Sequence, residues 1–182
     1  RPYVFAEEAT SLGTYGDWKS MYWNTEEGVV CSMISAPIKK EGKYSRRGQV
    51  YAQIAKNKGT KELGVIYFEA GYTFKENSKV QLKIDSKHSF NLFTVQQGAW
   101  AETTTDDILL IKAMKLGNKM VVKGVSSRGT DTTDTYSLKW SSVENSNNYI
   151  LDTNEVNFLN NNNTTIQETS KPNSTTVVPA ST

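Results

Sequence analysis

Val80, Leu82 and Ile84 alternate with Gln81, Lys83 and Asp85, and no other stretch constrains the fold as tightly. A period of two places successive side chains on opposite faces, so the run reads as a strand with one face buried and one in water. The pattern recurs along the chain. Over 18–23, Trp18, Ser20 and Tyr22 oppose Lys19, Met21 and Trp23; after a turn at 24–28 a second strand is expected over 29–34, ended by Pro37. Val50, Ala52 and Ile54 share a face within 49–55, and residues 63–68 are almost continuously apolar, as for a strand buried on both sides. Phe90 and Leu92 repeat the alternation after a turn at 85–88, Met120 to Val122 restart it, and Tyr136, Leu138 and Trp140 close it beyond a turn at 128–134. Short strands separated by turn residues predict a mainly β chain, an antiparallel β-sandwich-like domain.

One stretch breaks the period. Leu109, Leu110, Ala113 and Leu116 fall at i, i+1, i+4 and i+7, the spacing of a helical face, so a single short helix is expected at about 105–116. Thr104 or Thr105 caps its start, Asp106 and Asp107 suit the first-turn dipole, and Gly117 ends it. The segments 39–47 and 56–61 are rich in lysine and arginine and read as a basic loop and a turn, and 72–77 reads as a polar connection. The resulting organisation is a lead-in over 1–14, a β domain over 15–144, and an Asn/Ser/Thr-rich tail over 145–182 whose composition predicts flexibility. Val4-Phe5-Ala6 before Glu7 and Glu8 reads as the end of a signal peptide cleaved after Ala6. The triplets at Asn162, Asn163 and Asn173 match the glycosylation pattern but arise by chance in so Asn-rich a tail.

Charge excludes some partners. Of 21 bases and 19 acids, one base and three acids lie beyond Asn145, which leaves residues 1–144 with 20 bases against 16 acids. That excess is too small for a nucleic-acid binder, and no apolar run has the length of a transmembrane segment. The loop at 39–47, with Lys39, Lys40, Lys43, Arg46 and Arg47 against Glu41, is the one local concentration, suited to polyanionic glycan, phosphate or anionic headgroups, or simply to water.

Chemistry is sparse. A single histidine, His88, and a single cysteine, Cys31, exclude most nucleophile–base and two-histidine metal arrangements. Cys31 lies in an apolar run without a cationic sequence neighbour and reads as a small buried hydrophobe. Residues 124–129 lack the lysine of a phosphate-binding loop. Asp131 and Asp134 flank a turn, but the spaced oxygens of a calcium loop are missing; Glu69 and Asp85 follow strands without being placed as an acid/base pair. No catalytic residue, cofactor or metal is therefore assigned. Tyr15, Trp18, Tyr22, Trp23, Tyr44, Tyr51, Tyr67, Tyr72 and Trp100 either fill and rim a β core or offer contacts to glycan or protein.

Several short motifs, in order, resemble the invasion-associated locus B family of bacterial cell-envelope proteins. They are Tyr15-Gly-Asp-Trp18, Gly64-Val65, Gly71, Ile84-Asp85, Trp100-Ala-Glu102, the helix over 107–117 and Ser137-Leu-Lys139. The resemblance covers roughly 15–140. It implies a mostly β, sandwich-like protein with no established enzymatic activity or cofactor, exported to the periplasm or outer envelope. For some relatives it further implies a part in host-cell entry and virulence. Together with the basic loop and the aromatics, it leads to the expectation of an unknown protein or glycan partner and of peripheral envelope association. Relatives typically carry an early cysteine pair and another near the Trp100 segment; here Cys31 stands alone, so family-style disulfides are out of reach. The rival expectation is a periplasmic small-ligand carrier, or an enzyme with an unrecognised site, in which His88, Glu69 or Asp85 would line a deep polar pocket.

Overall fold

Antiparallel pairing joins every strand to its neighbours in the computed structural model, which describes residues 9–58 and 64–139. The trailing segment 145–182, residues 1–8 with the Ala6 site, Gly59 to Leu63 and Trp140 lie outside the described residues. Three strands, β1 (Thr10–Tyr15), β2 (Trp18–Thr25) and β3 (Gly28–Ser35), form a meander. Then come β4 (Lys39–Gly42), β5 (Tyr51–Asn57) and β6 (Val65–Glu69). Next are β7 (Lys79–Ile84), β8 (His88–Val95), β9 (Gly98–Ala101), the helix α1 (Thr104–Leu116), β10 (Lys119–Val125) and β11 (Asp131–Ser137).

The mainly β character is as expected, as is the single helix among the described residues, and the layering comes from one continuous sheet. Its order is β1-β2-β3-β5-β6-β9-β8-β7-β10-β11-β4. Trp18 of β2, Ile66 of β6, Leu82 of β7 and Tyr136 of β11 all belong to one buried cluster. The Trp18 indole Nε1–H donates to the Ser137 carbonyl at 2.7 Å, tying together strands from near opposite ends of the ladder. A sheet that twists this far encloses its core as two packed layers would.

Several boundaries differ from the sequence reading. The sheet begins at Thr10, inside the expected lead-in, because β1 is a half-exposed edge that needs no apolar alternation. The first four residues of the expected basic loop form β4, also an edge strand and exposed throughout. Lys56 and Asn57 prolong β5 instead of turning, and β11 starts at Asp131, within the expected turn. Phe74 leaves its polar connection to enter the core.

The helix is present but rolled. Thr103 is the cap, its Oγ1 accepting from the Asp106 N–H at 3.0 Å. Ile108, Leu110, Ile111 and Met114 are buried, while Leu109 is 50% and Leu116 79% exposed. The stripe is 107, 110, 111 and 114, an i, i+3, i+4, i+7 set whose first position is a carboxylate. Asp107 is fully buried, and its Oδ1 accepts from the Ile66 N–H at 3.0 Å, which fixes the roll of α1 on β6. Gly117 is extended at φ −91° rather than left-handed; it is small because a Cβ there would lie 2.5 Å from Ile84 Cγ2.

Candidate functional site

The segment between β4 and β5 has no regular hydrogen-bonding pattern, yet Arg47 anchors it from within. Its side chain is 2% exposed and donates Nη1 and Nη2 to Oδ1 and Oδ2 of Asp134 at 2.7 and 2.6 Å. Its Nε–H goes to the Ala70 carbonyl at 2.8 Å, and the rings of Tyr44 and Tyr72 lie 5.2 and 5.1 Å from the guanidinium carbon. Burial opposes the charge and is the largest single influence, but the hydrogen bonds and charge of Asp134, with Tyr44 and Tyr72, together outweigh it and leave the guanidinium pKa raised. Arg47 is thus not part of an exposed basic loop as the sequence suggested. Asp134, weighed with Asp131 as a weak calcium pair, instead holds Arg47 with both oxygens. A second lock lies next to it. Gly48 N–H donates to the Gly71 carbonyl at 2.8 Å, and at φ +75° a Cβ on Gly71 would sit 2.5 Å from the Gly48 oxygen.

Pinning this segment opens a cleft of about 440 Å³ above it. One wall is Lys43, Tyr44, Ser45 and Arg46; Tyr72 and Thr73 form the floor. The opposite wall is the turn between β10 and β11, where Ser126 Oγ accepts from the N–H groups of Arg128 and Thr130 at 3.2 and 3.1 Å. Ser127 N–H donates to the Thr73 carbonyl at 2.8 Å, and the Tyr72 and Thr132 hydroxyls are bonded at 2.6 Å. Both walls are therefore held by hydrogen bonds before any partner arrives. Lys43, Arg46 and Arg128 are exposed in the lining, and no described lining residue is a carboxylate. Arrangements of this kind attract and orient anions.

The other residues singled out in the sequence do not converge. His88 is exposed and pairs with Ile84 at the β7–β8 hairpin. Asp85 lies beside it with a left-handed φ of 51°, and its carboxylate accepts from the Asn118 and Lys119 N–H groups, each at 3.0 Å. Glu69 is level with Gly98 and Val95, at the far end of β8 from His88, and accepts from the Tyr67 hydroxyl at 2.6 Å. Burial raises the Glu69 pKa, the Tyr67 bond partly offsetting it, and burial beside Glu69 drives the Tyr67 phenol far up. Cys31 is buried; Lys56 faces it across the β3–β5 pair, a cation the sequence neighbours did not reveal. Burial still dominates and raises its thiol pKa against the pull of Lys58 and Lys56.

The aromatics divide between the two sheet faces. Trp18 and Tyr136 fill the main core, whereas Tyr67, Phe93 and Trp100 pack on the opposite face, Tyr67 and Trp100 at 4.8 Å between centroids. Of the described aromatics, only Tyr44 and Tyr72 meet the cleft. Arg128 is a lining residue that the sequence reading does not single out; its signal is the Ser-Ser-Arg-Gly turn within 124–129, a stretch without the lysine of a phosphate loop. Among the described residues no group of three or more His, Cys, Asp or Glu is placed to hold a metal ion. No described helix is long and apolar enough to cross a membrane.

Comparison with curated proteins and with solved structures gives no match. The model of one family, described as Invasion associated locus B (IalB) protein, matches residues 18–141, from the start of β2 to beyond β11. The chain belongs to the invasion associated locus B family, one associated with the bacterial cell envelope.

Proposed function

We propose that this is a non-catalytic protein exported to the periplasm or outer envelope, where it acts by contact with a protein or glycan partner, host-cell surfaces included. The observation that carries this reading is the pre-formed cleft with Lys43, Arg46 and Arg128 in a lining without described carboxylates. Family membership supports the envelope setting. The non-catalytic part draws support from the dispersal of the reactive groups: Cys31 is buried with a raised pKa, Glu69 is separated from His88 by the length of β8, and Asp134 is bound to Arg47.

The test has two arms. Fractionation of the source cell with a reading of the mature N-terminus is expected to recover the protein outside the cytoplasm, beginning at Glu7. Cytoplasmic recovery with residues 1–6 retained would overturn the exported assignment. Binding of the purified full chain to isolated envelopes and to host-cell surfaces is expected to fall about tenfold or more when Lys43, Arg46 and Arg128 are changed to Glu, at unchanged melting temperature. Undiminished binding removes the cleft from the contact.

The cleft volume also favours a second reading, a carrier of a small free ligand, since about 440 Å³ lies within the usual range for such sites. Tight retention of a small molecule through purification, without binding to envelopes or cells, would select it.

A further inference from the structure

We propose that the cleft binds an acidic saccharide, with a carboxylate, sulfate or phosphate substituent held by Arg46 and Arg128 and sugar hydroxyls met by the serine and threonine walls. The proposal rests on the contact-making reading above and names its ligand class.

Three observations select this class. First, the charge arrangement divides the arginines by role. Arg47 is neutralised by Asp134, whereas Arg46, Arg128 and Lys43 make no ion pair with a described carboxylate. An incoming oxyanion therefore meets uncompensated forked donors, the geometry in which arginine binds planar or tetrahedral anions through paired hydrogen bonds. Second, the rest of the lining is hydroxylic. Ser45, Thr73 and Ser127 are exposed there, and each both donates and accepts, as sugar hydroxyls do. Third, the features other polyanions need are missing from the cleft. Arg47 already covers one face of the Tyr44 ring and one of the Tyr72 ring, and Phe74 packs against Tyr72, which leaves little ring surface for stacking successive nucleobases. Among the described residues the exposed large apolar ones, Val29, Ile38, Leu109 and Leu116, lie outside the lining, so the charge lacks the apolar wedge that strengthens binding to a membrane surface.

Calorimetric titration of the full chain tests this with defined probes: tetragalacturonate, a sulfated maltotetraose, unmodified maltotetraose, a thymidine oligonucleotide, phosphatidylglycerol vesicles and inorganic phosphate. The acidic tetrasaccharides are expected to bind, with the neutral sugar at least about tenfold weaker. Arg46→Gln and Arg128→Gln should each weaken acidic-sugar binding about tenfold, or about 1.4 kcal/mol, and leave the melting temperature unchanged because both side chains are exposed. Equal binding of the oligonucleotide or vesicles at matched charge would overturn the saccharide assignment. So would inorganic phosphate binding as tightly as the sugars, or unchanged affinity in both variants. If the charge-reversed protein loses envelope and cell binding while acidic sugars neither bind nor compete, the ligand class fails and the contact reading stands. If the charge reversal changes neither, both fail.

Discussion

At the scale of single residues, Arg47 shows how far a side chain's role depends on what the fold brings to it. In the sequence it is one of five bases between 39 and 47; in the structure it is the one that is buried and paired. A buried charge that loses its partner leaves the other uncompensated, so Arg47→Ala should destabilise the protein by about 3 to 5 kcal/mol. The double variant Arg47→Met/Asp134→Leu should recover much of that loss, and urea unfolding midpoints measure both. Parallel losses without recovery would show that the anchoring contacts to Ala70 and the two tyrosine rings matter more than the charge pair. Glu69 gives a pH-dependent case. Its pKa is raised in the fold, so the native state holds its proton more tightly than the unfolded chain does. The contribution is fully present below the ordinary value of 4.5 and is lost as pH rises through the folded pKa. Glu69→Gln keeps an acceptor for the Tyr67 hydroxyl but removes the titration. Its stability advantage over the parent should therefore widen between pH 4 and neutrality, and a constant gap would contradict the assignment.

At the scale of elements, the difference between β strands and α1 is instructive. Strands with one face in the core, such as β7, were legible because burial writes a period of two directly into the residue types. The edge strands β1 and β4 were not, since exposed edges are free to be polar and basic. The helix was located nearly to the residue, but its buried side was misjudged because Asp107 occupies a stripe position and exposed Leu109 and Leu116 imitate one. The cleft was least legible of all. Its walls come from 43–46, 72–73 and 126–132, stretches that only the pairing of β11 with β4 and β10 brings together. The roll of α1 makes a sharp prediction. Ile111→Ala should cost about 2 to 5 kcal/mol by leaving a cavity, whereas Leu109→Ser and Leu116→Ser should stay within about 0.5 kcal/mol. Thermal unfolding of the three variants decides it, and a large loss at Leu109 would restore the face first read from the sequence.

At the scale of the whole molecule, the question is whether one sheet makes one cooperative unit. A flat eleven-stranded sheet would permit its ends to open separately, but here β2 and β11 share both a core and a direct hydrogen bond. Trp18 is the joint: it is fully buried, belongs to the cluster that also holds Ile66, Leu82 and Tyr136, and donates to Ser137. Trp18→Phe keeps most of the packing and loses the donor, so it should cost about 1 kcal/mol, the usual net value of one such bond. Trp18→Ala removes the packing as well and should cost about 3 to 5 kcal/mol. Because the core is shared, both losses should appear as a shift of a single transition, with tryptophan fluorescence and far-ultraviolet circular dichroism changing together. Two separated transitions in Trp18→Ala would mean that the β1–β3 meander unfolds by itself. The sheet would then be two cooperative units joined at β5, and the cleft, built from β4, β10 and β11 with the β6–β7 connection, would belong to the second alone.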